Sequence, residues 1–372
     1  MNLKQNKSHK PMVLTHYNYT NLHPIFRQME WLYTYVSNEY HKRNLLPEVL
    51  DDSFKDLSNI LEQNVWFYSV PEFTTYDYKP LDLPTGEYDS KNMIICMSGG
   101  KDSIATALFY KNLGYNIYLY HMRGVNRSYP DEYKSVMQVA KALDCPVYFD
   151  LVSVSGIQQY IEHPMKNMLI ANGALHYGIR EGIGTNIAFG NFTSSFLEDN
   201  VFDVCAGDCV DMWKAYEKII QRIIPGFTVH TPLPNSEASL EMLMDYPDLL
   251  KSSVSCIIPY RFRKSLREKN FQLYPNIKLF DNRCGSCWKC CMEYIYYTDH
   301  DVLPYDEDYY LKCITILSNT ILKETGSLAK SIQDIWDHYF FYNIHSSKAY
   351  RRLQNGVIHK TGCKFAEQST ER

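Results

Sequence analysis

Two short stretches of this chain carry residue types that could do chemistry. The first is Ser98-Gly99-Gly100-Lys101-Asp102-Ser103, which follows a short apolar run and opens a helix-compatible segment. Two adjacent glycines let a backbone turn tightly and approach a ligand closely, and the amides that follow form an anion-binding concavity with the helix N-terminus. Phosphate is the natural occupant. Ser98 and Ser103 can donate hydroxyl hydrogen bonds, Lys101 can set a point charge against phosphate oxygens, and Asp102 can hold Mg²⁺ or cap the helix. A bare Gly-Gly turn with a capped helix is the plain structural alternative, but the whole hexapeptide between a strand and a helix is more specific. Its spacing is neither GxxxxGKS/T nor GxGxxG, which argues against kinase-type transfer and hydride transfer.

The second stretch is Cys284-Gly285-Ser286-Cys287-Trp288-Lys289-Cys290-Cys291, with Cys256 upstream in SVSCIIPY. Four thiolates from Cys256, Cys284, Cys287 and Cys290 suit a closed tetrahedral Zn²⁺ site, and Gly285 relaxes the first knuckle. Cys291 is set aside because its neighbour Cys290 already occupies that position. A CxxCxxC run also suits iron, and a CxxC can be redox-active. A structural metal that ties the C-terminal part of the chain onto the sheet is the preferred reading.

These stretches need elements to position them. Met93 to Met97 reads as a buried strand, SIATALFYKNLGY as the helix after it, 116–122 as a second strand, Asp131 to Leu143 as a second helix, and 146–152 as a third strand. A helix near Met168 to Glu181, the apolar stretch 187–191 and a helix from Asp211 to Ile224 continue the alternation. Strands alternating with helices imply right-handed crossovers and an α/β fold with a parallel sheet flanked by helices. Residues 1–88 show helical periodicity at Ile25 to Tyr40 and Val49 to Leu61, then break at Pro71, Pro80 and Pro84. The expected organisation is a helical N-terminal extension and linker over 1–88, a phosphate-binding α/β domain with a zinc-binding segment over 89–296, and a C-terminal helical extension over 297–372. Ser327 to His338 reads as a helix of that last part.

With 372 residues and 45% hydrophobic content, the chain can bury a sizeable core. The net charge of −4 gives no global reason to expect tight nucleic-acid binding, although a local basic patch is compatible with it. The 31 tyrosines read as genome composition or amphipathic surface filling rather than base stacking. The first residues hold no apolar leader segment and no uninterrupted apolar run reaches about 18 residues. A soluble cytoplasmic protein with no membrane association is therefore expected, and its 11 cysteines read as reduced thiols and metal ligands.

The loop resembles the SGGxDS loop of the PP-loop, or N-type ATP pyrophosphatase, superfamily, whose members bind ATP pyrophosphate there and cleave between the α and β phosphates. With the cysteine motif added, the sequence resembles one branch, the 7-cyano-7-deazaguanine synthase (QueC) family. Ser98 to Ser103, Ser255-Cys256 and CGSCWKC carry the likeness; Pro164 to Asn167, IAFGN, Asp208-Cys209-Val210-Asp211 and Thr231-Pro232-Leu233 extend it over 91–296. The resemblance implies ATP, Mg²⁺ and Zn²⁺ as cofactors, Lys101 and Asp102 as catalytic groups, and Lys166, Asn167, Asn191 and Asp208 toward the substrate. The substrate would be 7-carboxy-7-deazaguanine or a related deazapurine acid, adenylated and then attacked by ammonia or another amine. A homodimer is implied on the same ground.

Some residues depart from that family. Lys101 stands at a position that is usually apolar or variable, Lys166 and Val210 replace expected arginines, and Met122-Arg123-Gly124 replaces a tyrosine-glycine-glutamine. The chain is also longer at both ends. A specialised relative is implied, of the kind found in antiphage defence or phage gene clusters, with a protein or nucleic acid as a possible acceptor. Two other readings stay open: a PP-loop enzyme adenylating a tRNA base carbonyl, with Cys145, Cys205 or Cys209 recruited, and a nonenzymatic partner-binding module.

Overall fold

The computed structural model describes residues 23–40, 48–63, 71–81, 90–123, 129–151, 165–190, 210–234, 236–258, 260–280, 282–325 and Ile335. The chain divides into two compact units. The first draws on Met1–Ser98, Ser103–Tyr129 and Val136–Asn235, the second on Gly99–Asp102, Pro130–Ser135 and Ser236–Arg372.

The first unit opens with helix α1 (Pro24–Tyr40), the parallel pair β1 (Leu50–Asp51) and β2 (Phe73–Thr74), and helix α2 (Lys55–Gln63). Its centre is a five-stranded parallel sheet of β3 (Asn92–Cys96), β4 (Asn116–Arg123), β5 (Val147–Leu151), β6 (Ile187–Ala188) and β7 (Val229–His230), in the order β5-β4-β3-β6-β7. Helices α3 (Lys101–Asn112), α4 (Tyr129–Leu143), α5 (Lys166–Arg180) and α6 (Val210–Gln221) make the crossovers. The chain moves outward from β3 to β5, then returns past β3 to β6. Right-handed crossovers therefore put α3 and α4 on one face and α5 and α6 on the other. The expected α/β fold, a parallel sheet flanked by helices, is the observed one.

Side-chain alternation along the strands matches this winding. Ile94, Cys96, Tyr120, Met122, Ile187 and Phe189 bury into one cluster with Met168, Leu169 and Leu175 of α5 and Met212, Tyr216 and Ile219 of α6. That same cluster takes in Phe26, Leu32 and Val36 of α1 and Leu57 and Leu61 of α2, so the N-terminal helices add an outer layer over α5 and α6. Polar ties fix the layer: Leu81 N–H donates to Ile223 O (2.8 Å), Arg222 to Tyr76 O (2.7 Å), and Lys218 pairs with Asp56 (2.7 Å).

The second unit holds α7 (Ser236–Met244), α8 (Pro247–Ser252), α9 (Tyr260–Leu273), α10 (Trp288–Asp299) and α11 (Glu307–Thr325). Tyr294, Tyr296, Tyr297, Tyr309 and Tyr310 are all fully buried within it, as are Tyr35, Tyr120 and Tyr216 of the first unit. These eight fill cores, so surface filling does not account for them. Buried phenols need partners, and Tyr294 shows the pattern, its Oη donating to Pro304 O (2.9 Å) and accepting from Asp306 N–H (3.0 Å).

The helix expected over Val49 to Leu61 begins later. Asp51 is fully buried and its carboxylate accepts the amides of Ser53 (3.0 Å) and Tyr76 (3.2 Å), a local turn that competes with helix until Lys55. Helices α7, α8 and α9 were not anticipated, and α11 falls within the 297–372 stretch expected to be helical. The helix expected from Ser327 to His338 lies, apart from Ile335, outside the described residues. Among those residues no helix is long and apolar enough to cross a membrane.

Candidate functional site

The phosphate-loop residues follow β3, the strand at which the sheet order reverses, with β4 on one side and β6 on the other. In open doubly wound sheets, ligands bind outside the carboxyl ends of the strands at this reversal. Gly99 has φ of +77°, in the left-handed region where a Cβ is costly, and an added Cβ would lie 3.0 Å from Ser135 Cβ and 3.2 Å from Glu132 O. Its carbonyl accepts from Ser135 Oγ (2.9 Å) and from Val254 N–H (2.7 Å). The amide of Lys101, the first residue of α3, donates to Ser255 Oγ at 3.3 Å.

The hydroxyls of Ser98 and Ser103 lie 3.1 Å apart, and Ser103 Oγ also accepts the Ser98 amide at 3.3 Å. Lys101 is buried and ion-pairs with the partly exposed Asp102. Six consecutive residues thus carry two hydroxyls, an ammonium and a carboxylate along the turn that opens a helix. Such a set can neutralise a polyphosphate, and its carboxylate can engage a divalent cation.

Lys166 and Asn167 are the first two residues of α5, both half-buried. The direction of α5 fixes where they stand. Just past its C-terminus, Ile183 O accepts from Asn92 Nδ2 at 2.9 Å, so that end meets the start of β3. Fifteen helical residues span about 22 Å. Lys166 and Asn167 therefore stand on the side of the sheet where the strands end. Met165, the N-cap residue, makes no side-chain cap hydrogen bond. Asn191 and Asp208 lie outside the described residues, as do Cys205 and Cys209. Cys145 is described, and burial pushes its thiol up to about 11, away from easy nucleophilicity.

In the second unit, Cys256, Cys284, Cys287 and Cys290 are all buried, with their sulfurs within 4.8 Å of one another. The separations are 3.9 Å for Cys256–Cys287, 3.8 Å for Cys284–Cys290 and 3.4 Å for Cys287–Cys290. A tetrahedron of thiolates about 2.3 Å from Zn²⁺ has edges of about 3.8 Å, so the donor set fits one such ion. The distances are far beyond a disulfide bond. An iron–sulfur cube, which interposes sulfide, would hold the thiolates further apart. Cys291 is buried too but stands outside the four, as its adjacency to Cys290 implied.

Hydrogen bonds from Cys284, Cys287 and Cys290 hold the Cys256 thiol far below its ordinary range. Cys287 is pushed up, chiefly through its bond to Cys256, and Cys290 by burial. Four thiols packed this closely compete for protons, and a divalent cation would allow them to ionise together.

Around the sulfurs, residues that the sequence patterns did not single out fix the backbone. Gly285 has φ of +68°, and a Cβ there would fall 2.6 Å from both Leu279 Cδ1 and Tyr309 Oη. Its carbonyl accepts from Tyr309 Oη (2.8 Å) and Lys312 Nζ (3.1 Å). Asn270 Nδ2 donates to Cys284 O (2.8 Å), Arg263 to Cys256 O (3.0 Å), and the Ser286 amide to Cys284 Sγ (3.3 Å). Arg283 is a buried cation paired with the buried Glu293. Burial pulls the Lys312 ammonium below its ordinary value. The one available cue was spacing: Arg263 and Asn270 stand seven apart on α9 and share its inner face.

No protein-family model matches the chain, and no curated protein does. A solved structure described as a predicted subunit of tRNA methyltransferase from Methanocaldococcus jannaschii is similar over 41% of this chain and 73% of that one, at 20% identity and a TM-score of 0.25. A likeness of that size carries neither activity nor partner across to this chain.

Proposed function

We propose that the protein is an ATP-consuming enzyme that adenylates a carboxylate, holding the pyrophosphate portion of ATP at residues 98–103. The observation that carries this reading is the placement of Ser98, Gly99, Lys101, Asp102 and Ser103 after the strand where the sheet order reverses, with Gly99 turned to positive φ. The finer reading is that of a QueC-like enzyme acting on 7-carboxy-7-deazaguanine or a relative. It rests on the joint presence of the loop, Ser255-Cys256 and the CGSCWKC run, and on the close packing of the four cysteines.

A carboxylate is a poor acyl donor until one oxygen is esterified. In the proposed reaction a substrate carboxylate oxygen attacks the α phosphorus and the bond to the bridging oxygen breaks. Pyrophosphate leaves with that electron pair. Ammonia or another amine then attacks the acyl carbon, AMP leaves, and the amine gives up a proton. The protein's share is to stabilise charge that grows on the departing pyrophosphate. Lys101 and the hydroxyls of Ser98 and Ser103 supply that stabilisation, and the Asp102 carboxylate is the group that would hold Mg²⁺, which adds further neutralisation when bound. Lys166 and Asn167, at the start of α5, are the proposed polar contacts for the acid. Zn²⁺ at the four cysteines would supply structure and no reacting group.

The test is mass-spectrometric product analysis with ATP, Mg²⁺, ammonia and 7-carboxy-7-deazaguanine. AMP, pyrophosphate and a product with the mass of the amide are expected, or of the nitrile where a second ATP adenylates the amide oxygen and AMP departs with it as the nitrogen loses its protons. Release of ADP and phosphate would refute adenylation. AMP formation only with a different acid would overturn the deazapurine assignment and keep the chemistry.

A further inference from the structure

The segment Ser252 to Cys256 runs between the cysteine knuckle and the loop residues Gly99–Asp102, all within the second unit, and each of its residues is tied down. Ser252 O accepts from Asn282 Nδ2 at 3.1 Å. Ser253 takes two bonds from the Arg283 guanidinium, one to its carbonyl and one to its hydroxyl at 2.8 Å. Val254 N–H donates to Gly99 O at 2.7 Å, and Ser255 Oγ accepts the Lys101 amide at 3.3 Å. Cys256 gives its sulfur to the cluster and its carbonyl to Arg263.

The pattern has a direction. Residues 254 and 255 face the loop, whereas 252, 253 and 256 are held by the knuckle or by residues that lead into it, since Asn282 and Arg283 immediately precede Cys284. Arg283 is itself locked by the buried Glu293 of α10. Lys101 is the first residue of α3, and its amide is one of the helix-start donors that intrahelical bonding cannot satisfy. Ser255, 154 positions away in sequence, therefore caps the helix that opens at the loop.

We propose that Ser253 to Cys256 is a strap through which occupancy of the cysteine site sets the conformation of the phosphate loop, with Ser255 as its positioning residue. A metal ion at the four sulfurs fixes the position of Cys256, and with it the hydroxyl beneath the Lys101 amide and the Val254 amide beneath the Gly99 carbonyl. Without the ion, Cys256 keeps the Arg263 bond to its carbonyl, the Ile258 backbone bond to its sulfur and weak contacts between thiols, and the cap loses its strongest anchor. The consequence for nucleotide binding rests on the proposed role of residues 98–103; the coupling itself does not.

The experiment is amide hydrogen exchange on the full chain without nucleotide, read on peptides covering 98–103, 252–258 and 284–290, with metal content measured in parallel. Ser255→Ala should keep its metal and speed exchange at 98–103 by about two- to tenfold, the loss of one hydrogen bond. Exchange at 284–290 should not change. Ser255→Thr, which keeps the hydroxyl, should restore slow exchange. Removing the metal with a chelator should loosen all three peptides, and adding Zn²⁺ back should restore them. Unchanged exchange at 98–103 in metal-loaded Ser255→Ala overturns the role of Ser255. Loosening of 252–258 and 284–290 alone after chelation overturns the coupling. Because no readout uses ATP, a protein that shows the coupling but binds no nucleotide leaves the strap standing and removes the proposed function. One that binds ATP without the coupling does the reverse.

Discussion

Gly285 in the cysteine knuckle and Gly99 in the phosphate loop use the same backbone device, a positive φ beside a helix start, in different surroundings. The knuckle is closed. Its carbonyl is taken by Tyr309 and Lys312, its neighbours are buried, and four sulfurs at 3.4 to 3.9 Å set the radius of the ion that fits. The loop is partly open, with Ser98 exposed and Asp102 half-exposed, and its donors are a hydroxyl pair, an ammonium and a helix start. Closed geometry specifies one ligand; open geometry specifies a charge class. The knuckle therefore narrows its candidate ligand to a small thiophilic ion in tetrahedral coordination, whereas the loop narrows its own only to an anion.

The sharpest way to break this comparison is to remove one sulfur. Cys287→Ser should lose most of the metal and lower the stability of the second unit by more than about 5 kcal/mol, because ion binding to a structural site is largely folding free energy. Metal analysis and thermal unfolding check it. Retained metal with unchanged unfolding would remove Cys287 from the ligand set, and a wild-type protein without metal would mean that the sulfurs pack without coordinating. Asp102→Asn, which still accepts a hydrogen bond from the buried Lys101, should do the opposite, changing unfolding and metal content little while reducing AMP formation by roughly 100- to 1000-fold, the usual scale for losing one preorganised electrostatic group. Steady-state kinetics with ATP and acid tests this, and normal turnover in the variant would sink the role given to the loop.

The comparison also marks what the sequence made legible. Strand β3, the Gly-Gly turn and helix α3 are local, and short apolar runs alternating with amphipathic ones announce a parallel sheet. The four cysteines were legible because thiolate ligands are rare and their spacing is short. The shell around them was not. Helix α9 buries Arg263 and Asn270 rather than a stripe of leucines, so its inner face reads as polar and its periodicity disappears. Those side chains are inside because carbonyls of the cysteine segments need donors, a demand that exists only once the chain is folded. Ser255 was hidden for the same reason, as its partner is an amide 154 residues away. Residues 1–88 showed helical periodicity without revealing that α1 and α2 would share a core with α5 and α6.

The two glycines can be compared directly. Gly285→Ala meets both a positive φ and three heavy atoms closer than 3.0 Å, Leu279 Cδ1, Tyr309 Oη and Asn270 Nδ2. Backbone strain and overpacking together should cost about 2 to 4 kcal/mol. Gly99→Ala meets the same backbone penalty but only marginal contacts of 3.0 to 3.2 Å with Ser135 and Glu132, so about 1 to 2 kcal/mol is expected. Urea unfolding of the two variants measures the difference. Equal losses would show that the knuckle is no more tightly enclosed than the loop.

Lys312→Met tests whether the enclosure matters to the ion as well as to the fold. The Lys312 ammonium bonds Asn270 Oδ1 and Gly285 O, and lies 5.4 Å from the Tyr274 ring and 4.9 Å from that of Tyr309. It is a cation held in a half-buried place that disfavours its charge, next to a cluster whose four thiolates would exceed the charge of one divalent ion by two. Methionine keeps the length of the stem and removes both the charge and the donors. Metal affinity should fall by about 10- to 100-fold, as for other outer partners of metal ligands, with little change in the unfolding of the metal-free protein. Competition against a zinc chelator measures the affinity. An unchanged value would assign Lys312 to backbone support alone, and the knuckle would then choose its ion by the distances between its sulfurs without help from surrounding charge.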